Sequence, residues 1–205
     1  MTLHCPLERT RLHPQHFGGT CQRQQPRSAD PGSMRSIMTW SLIAREPDGR
    51  FGVAIASRFF AVGALCVHTR AGAGALCTQA LMNPLYGHQG LEALNRGLSA
   101  QAVVDQLTRA DAGAAQRQLH VWGMEGPGAV HTGSQCVAWC GHQVGENFSV
   151  AGNMLAGPEV IQATARAFEA NRGQPLAQRL IVAMAAGEAA GGDKRGNGRR
   201  MGKSP

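Results

Sequence analysis

The chain predicts an α+β fold in which two sheets are layered between helices, and three observations carry this. Apolar runs of strand length come first, two segments of helical period follow, and the same order of strands and then two helices recurs. Turn residues divide the strand runs at short intervals, as in Gly123-Met-Glu-Gly-Pro-Gly128 and Gly133-Ser134. Single strands do not alternate with single helices, which argues against a parallel sheet.

The first element is a hairpin. Thr39 to Arg45 and Arg50 to Ser57 are apolar runs flanking Glu46-Pro47-Asp48-Gly49, whose Pro and Asp-Gly chemistry favours a tight reversal. Short strands are then expected over Gly63 to His68 and Ala73 to Thr78. Gly72 and Gly74 form no dinucleotide fingerprint, since Cys77 stands where a third glycine would be. Leu85, Leu91, Leu94 and Leu98 share a helical face, and Ser99 is placed to cap a second helix over Ala100 to Ala110. Strands are expected again at Leu119 to Trp122, Ala129 to Thr132, Gln135 to Trp139 and Phe148 to Ala151. Pro158 suits the first turn of a helix over Glu159 to Ala170, and Pro175 opens a last one over Leu176 to Ala189.

At 205 residues the chain supports one domain with tails and enough apolar content for a core. Its formal charge of +7 belongs to the ends: residues 1–37 carry +3 and residues 194–205 carry +5, leaving −1 for residues 38–193. A domain without a basic stripe is not expected to bind nucleic acid. No run of about 18 apolar residues is present, so a membrane helix is not expected. Residues 1–37 lack an apolar signal core and are broken by Pro6, Pro14, Pro26 and Pro31, so they read as disordered, or as untranslated, because Met34 and Met38 offer later starts. An arginine-rich transit peptide fits less well, given Glu8, Asp30 and the prolines. The expected compartment is the cytoplasm, where the six cysteines stay reduced.

Chemistry centres on Thr39, which follows Met38. If Met38 is lost, one residue at the head of a strand carries both a hydroxyl and a free α-amine, and an amine of pKa near ~7.7–8.0 can serve as base to that hydroxyl. The alternative is a plain β-branched strand residue. Antiparallel pairing brings Ser57 and Arg58 towards Thr39, where a cation can hold a substrate carboxylate; a surface ion pair is the competing account. Asn83 and Asn153 sit at turns where side-chain amides can donate to a developing oxyanion, or serve the turns themselves. Asp193 can anchor the Thr39 ammonium if the chain folds back. His131 can contribute a polar group from a strand end or be structural. Cys136, Cys140 and His142 share one face if they lie along one strand, yet spacings of ~7 and ~13 Å are too long for one tetrahedral ion. Neither a metal nor a cofactor is expected.

Several stretches also carry a resemblance: Met38-Thr-Trp-Ser-Leu-Ile-Ala-Arg45, Ala56-Ser-Arg-Phe-Phe-Ala-Val-Gly63, Thr78-Gln-Ala-Leu-Met-Asn-Pro84, His131-Thr-Gly133 and Gly152-Asn-Met-Leu-Ala-Gly157. Over about residues 38–193 the chain resembles the bacterial and archaeal family named domain of unknown function 1028. The resemblance implies a four-layer αββα Ntn-hydrolase-like sandwich with the nucleophile on the first strand, and an N-terminal-nucleophile amidohydrolase acting on a non-peptide or peptidoglycan-related amide. The expected partners are a small-molecule amide substrate and further copies of the chain. Family members continue with apolar strand residues past Gly191-Gly192-Asp193, whereas this chain ends in a basic tail. One or more closing strands are therefore expected to be missing, which leaves an inactive truncated product as one alternative and a non-catalytic binding or assembly protein as another.

Overall fold

The computed structural model describes residues 38–193. The readings of 1–37 and 194–205, with the missing closing strand, lie outside the described residues. Strands β1 (Thr39–Arg45) and β2 (Phe51–Ser57) form the hairpin, with Thr39 opposite Ser57 and Arg45 opposite Phe51. The reversal closes with Glu46 N–H on Arg50 O and Gly49 N–H on Glu46 O, and Gly49 takes φ +83°, a left-handed conformation suited to a residue without Cβ. Sheet order is β2-β1-β8-β7, where β7 is Gly141–Val144 and β8 is Phe148–Asn153. The second sheet runs β3-β4-β5-β6, with β3 Val67–Arg70, β4 Gly74–Ala80, β5 Arg117–Gly123 and β6 Ala129–Thr132. All strand pairings are antiparallel.

Alternation along the strands decides what each face meets. Trp40, Leu42 and Ala44 of β1 join Phe148 and Val150 of β8 against α4 (Pro158–Ala170) and α5 (Leu176–Ala189), through Val160, Ile161, Ala165, Phe168, Leu180 and Ala183. Leu76, Leu119 and Val121 of the second sheet pack on α2 (Leu85–Asn95) and α3 (Ala100–Arg109) through Tyr86, Leu94, Val103 and Leu107. Each fully buried Leu, Val or Phe contributes about 1.5–3 kcal/mol. The remaining faces meet each other, with Ile43 touching the cluster of Ala75, Cys77 and Trp122. The result is helices, sheet, sheet, helices, an α+β sandwich. Ser99 caps α3 by accepting from Ala102 N–H at 3.2 Å, and Pro158 occupies the first turn of α4.

Two expected strands differ. Val62–Cys66 is a short helix, α1, entered through Ala61 in the left-handed region, and β3 begins only at Val67. A short apolar run does not distinguish strand from helix by period alone. Gln135 to Trp139 is a loop: Val137 O and Trp139 O accept from Met154 and Leu155 N–H, so the segment hooks over the end of β8, and β7 takes the place in the ladder. Cys136, Cys140 and His142 therefore do not share a strand.

Arg179 of α5 is 5% exposed and donates to Glu46 at 2.7 Å, while its guanidinium lies 4.0 Å from the centre of the Phe168 ring. Glu46→Ala would leave that charge buried without its carboxylate. It is expected to lower unfolding free energy by about 3 kcal/mol in denaturant titration, whereas Asp48→Ala in the exposed Asp48–Arg50 pair should leave it nearly unchanged.

Candidate functional site

Register places Thr39 between Ser57 of β2 and Asn153 of β8, its direct partner on each side, so the three side chains form one row on the face turned to the second sheet. Thr39 is 5% exposed. Its hydroxyl donates to Ser57 Oγ at 3.1 Å, Ser57 donates to the Met38 carbonyl at 2.6 Å, and Phe59 N–H donates to Ser57 Oγ at 3.1 Å. Met38 itself is buried among Trp40 and its neighbours.

A pocket opens beside Thr39, walled by Phe59, Val62, Cys66, Gln79, Ala80 and Met82. Three non-glycine residues with positive φ flank this end of the sheets: Ala61 (54°), Ala80 (65°) and Met154 (53°). Each such backbone costs roughly 1–2 kcal/mol, a strain the surrounding packing must hold. Ala80 lines the pocket, Ala61 leads into α1, and Met154 follows Asn153. Cys66 donates to Met82 Sδ at 3.6 Å, and burial pushes the Cys66 thiol up to about 11.

Asp193 folds back to bridge Leu155, two residues past Asn153, and is 2% exposed. Its carboxylate pairs with Arg58 Nε at 3.2 Å, and Arg58 directly follows Ser57. Thr39, Ser57, Arg58, Asn153 and Asp193 thus gather at one end of the first sheet. Asn83 is placed otherwise: its amide nitrogen donates to Asp111 at 3.1 Å and its oxygen accepts from Leu85 N–H. Tyr86 and Arg117 also donate to Asp111, and Arg117 donates to Leu81 O, so this cluster fixes the loop carrying Met82. His131 Nε2 lies 2.9 Å from Ala114 O, a contact outside the pocket. Among the described residues no three His, Cys, Asp or Glu side chains converge to hold a metal ion, and no helix is long and apolar enough to cross a membrane.

Between the sheets runs a buried polar network that sequence reading missed. Trp122 Nε1–H donates to Ser149 Oγ, which meets His120 Nδ1 at 2.8 Å; His120 Nε2 meets Ser41 Oγ at 2.9 Å, and Ser41 donates to Gln79 Oε1 at 2.6 Å. An indole can only donate and an amide oxygen can only accept, so the sense is fixed and His120 is the neutral Nε2–H tautomer. Gln79 donates onward to Gln118 Oε1 at 2.7 Å and Ala151 O at 3.1 Å. The Gln118 amide nitrogen lies within 2.9–3.0 Å of Thr132 Oγ1, Gly141 O and Gly152 O, three acceptors that share its two hydrogens, and its oxygen accepts from Asn153 Nδ2 at 3.3 Å. The network therefore reaches both the pocket wall and the Thr39 row.

Burial, and secondarily the His142 charge, pushes His120 from 6.5 down to about 3. Between those values the unfolded chain binds a proton that the folded chain excludes. His120 contributes its full share of stability above about pH 6.5, and that share is lost as pH falls towards 3, on the order of 5 kcal/mol in all. Denaturant midpoints from pH 7 to 4 should fall less steeply for His120→Gln than for the unsubstituted chain.

The chain belongs to a family of unknown function, DUF1028, whose model matches residues 39–201. A crystal structure of protein SPO2555 from Silicibacter pomeroyi, also matched to DUF1028, superposes with TM-score 0.72 at 31% identity, covering 75% of this chain and 69% of that one. No curated protein matches.

Proposed function

We propose that the chain is an N-terminal-nucleophile amidohydrolase of the Ntn-hydrolase-like kind, cleaving a non-peptide or peptidoglycan-related amide bond with Thr39 after loss of Met38. The observation that carries this is the position of Thr39: first residue of the first strand, hydroxyl beside a pocket, between two polar strand partners. The family match also begins on this residue. In the reaction Thr39 Oγ bonds to the acyl carbon as its proton passes to the α-amine. The carbon–nitrogen bond then breaks while the leaving amine takes that proton, and water cleaves the resulting ester to return Thr39 and a carboxylic acid.

Asn153 is the amide suited to the oxyanion, because it stands directly beside Thr39 in the ladder and its nitrogen is oriented by a bond to Gln118 Oε1. Loss of Met38 also frees the Ser57 hydroxyl from the Met38 carbonyl to meet the new amine. Arg58 and Asp193 supply opposite charges at the same end, Asp193 to hold the ammonium and Arg58 to orient a polar substrate group.

Intact mass of the native product, paired with an amide panel, tests the reading. A product beginning at Thr39 that hydrolyses an amide supports it; a product that retains Met38 and hydrolyses amides equally well overturns it. One observation favours a second reading, a ligand-binding scaffold. Met38 is 4% exposed with its carbonyl held by Ser57, so the fold accommodates a blocked threonine well.

A further inference from the structure

We infer that the pocket beside Thr39 takes a compact hydrocarbon group, so that the substrate is the amide of a short aliphatic acid rather than of a charged or sugar-bearing one. This rests on the proposed role of Thr39 and names the half of the substrate that Thr39 retains. An acyl group stays bonded to the nucleophile until water releases it, whereas the amine must leave to solvent, so the walled space next to the hydroxyl belongs to the acyl side.

The wall chemistry sets the class. Phe59, Val62, Ala80 and Met82 present carbon and a thioether. Cys66 contributes a thiol whose hydrogen is turned to Met82, and burial keeps that thiol uncharged at neutral pH. Gln79 is the one amide in the wall, and both its ends are engaged away from the pocket: its nitrogen by Gln118 and Ala151, its oxygen by Ser41 and Cys77. Apart from the Thr39 hydroxyl, the wall side chains offer a ligand no uncommitted polar group, and a charge or a row of hydroxyls entering here would lose water without replacement.

Exposed apolar side chains also stand on the segments that supply the wall. Phe60 is 92% exposed and Leu85 63%, with Leu65 and Leu81 also exposed, and these four sit on the two segments, 59–66 and 80–86, that carry most of the wall.

Two measurements with p-nitroanilides of acetic, butyric, valeric and succinic acid separate this inference from the reading beneath it. Equilibrium dialysis against full-length Thr39→Ala reports the pocket, and p-nitroaniline release by the native product reports the nucleophile. Affinity should rise about fourfold per methylene from acetyl to valeryl, and valeryl should exceed the near-isosteric succinyl by on the order of a hundredfold. Met82→Trp should erase the valeryl preference and Met82→Ala should move the optimum to a longer chain, with melting temperatures recorded so that a misfolded variant is recognised. Equal or tighter binding of succinyl, or no binding of any anilide, overturns the inference. Valeryl-selective binding without p-nitroaniline release supports the pocket assignment and removes the hydrolase reading; release that favours succinyl does the reverse.

Discussion

Thr39→Ala is expected to lower amide hydrolysis by at least a thousandfold, while Thr39→Ser retains activity within about tenfold. Removing the attacking atom takes away the covalent step itself, and losses of ~10³ or more accompany loss of a nucleophile whose base and oxyanion donors remain in place. Serine keeps the oxygen and the α-amine and loses only a methyl. The pH profile separates this mechanism from one using a distant base: kcat/KM should rise through a single ionisation near ~7.7–8.0, shifted by the Arg58 and Asp193 charges, and that limb should vanish when the amine is acylated. Hydrolysis that survives Thr39→Ala would remove Thr39 from the chemistry. Activity that survives acylation would leave the hydroxyl but dismiss the amine as its base.

The parts of this site that depend on local chemistry are legible in the chain. Pro47 and Gly49 set the reversal, the reversal sets the hairpin register, and the register alone puts Ser57 opposite Thr39 and Arg58 beyond it. The helical periods over Leu85–Asn95, Ala100–Arg109, Pro158–Ala170 and Leu176–Ala189 are equally local. Long-range partnership is not. Asn83 at a turn beside Pro84 looks the same whether it faces a substrate or Asp111, 28 residues away. His131 likewise gives no sign that Ala114 O receives its ring.

The largest omission has a physical cause. Polar residues alternate with apolar ones in β1 (Thr39, Ser41) and β5 (Gln118, His120), and in an antiparallel sheet that pattern ordinarily marks a face turned to water. Here both faces are covered, so Ser41, Gln118 and His120 are fully buried. Only the second sheet reveals this, because it supplies Gln79 and His120 to Ser41 across the interface. Left-handed Ala61, Ala80 and Met154 are also silent in sequence, since alanine and methionine carry no preference for positive φ.

Gln118→Leu is therefore expected to be the most destabilising single polar substitution in the sandwich, at about 4 kcal/mol, or roughly 10 °C in melting temperature for a domain of this size. Leucine approximates the volume, so the loss comes from hydrogen bonding. Gln79 and Asn153 lose an acceptor, and Thr132 Oγ1, Gly141 O and Gly152 O lose the two N–H groups they share, all at the junction of the sheets. Each group left unsatisfied in the interior costs about 1–3 kcal/mol, and local relaxation keeps the total below their sum. Gln101→Leu, on the exposed face of α3 with only Asp105 as partner, provides the contrast and should change stability by less than about 0.5 kcal/mol. A loss under about 1 kcal/mol at Gln118 would show that water reaches the junction and that the sheets are held by Ile43, Cys77 and Trp122 instead. Because Gln118 also orients Asn153, the substitution should depress kcat more than the remaining folded fraction accounts for, which ties the network to the Thr39 row rather than to stability alone.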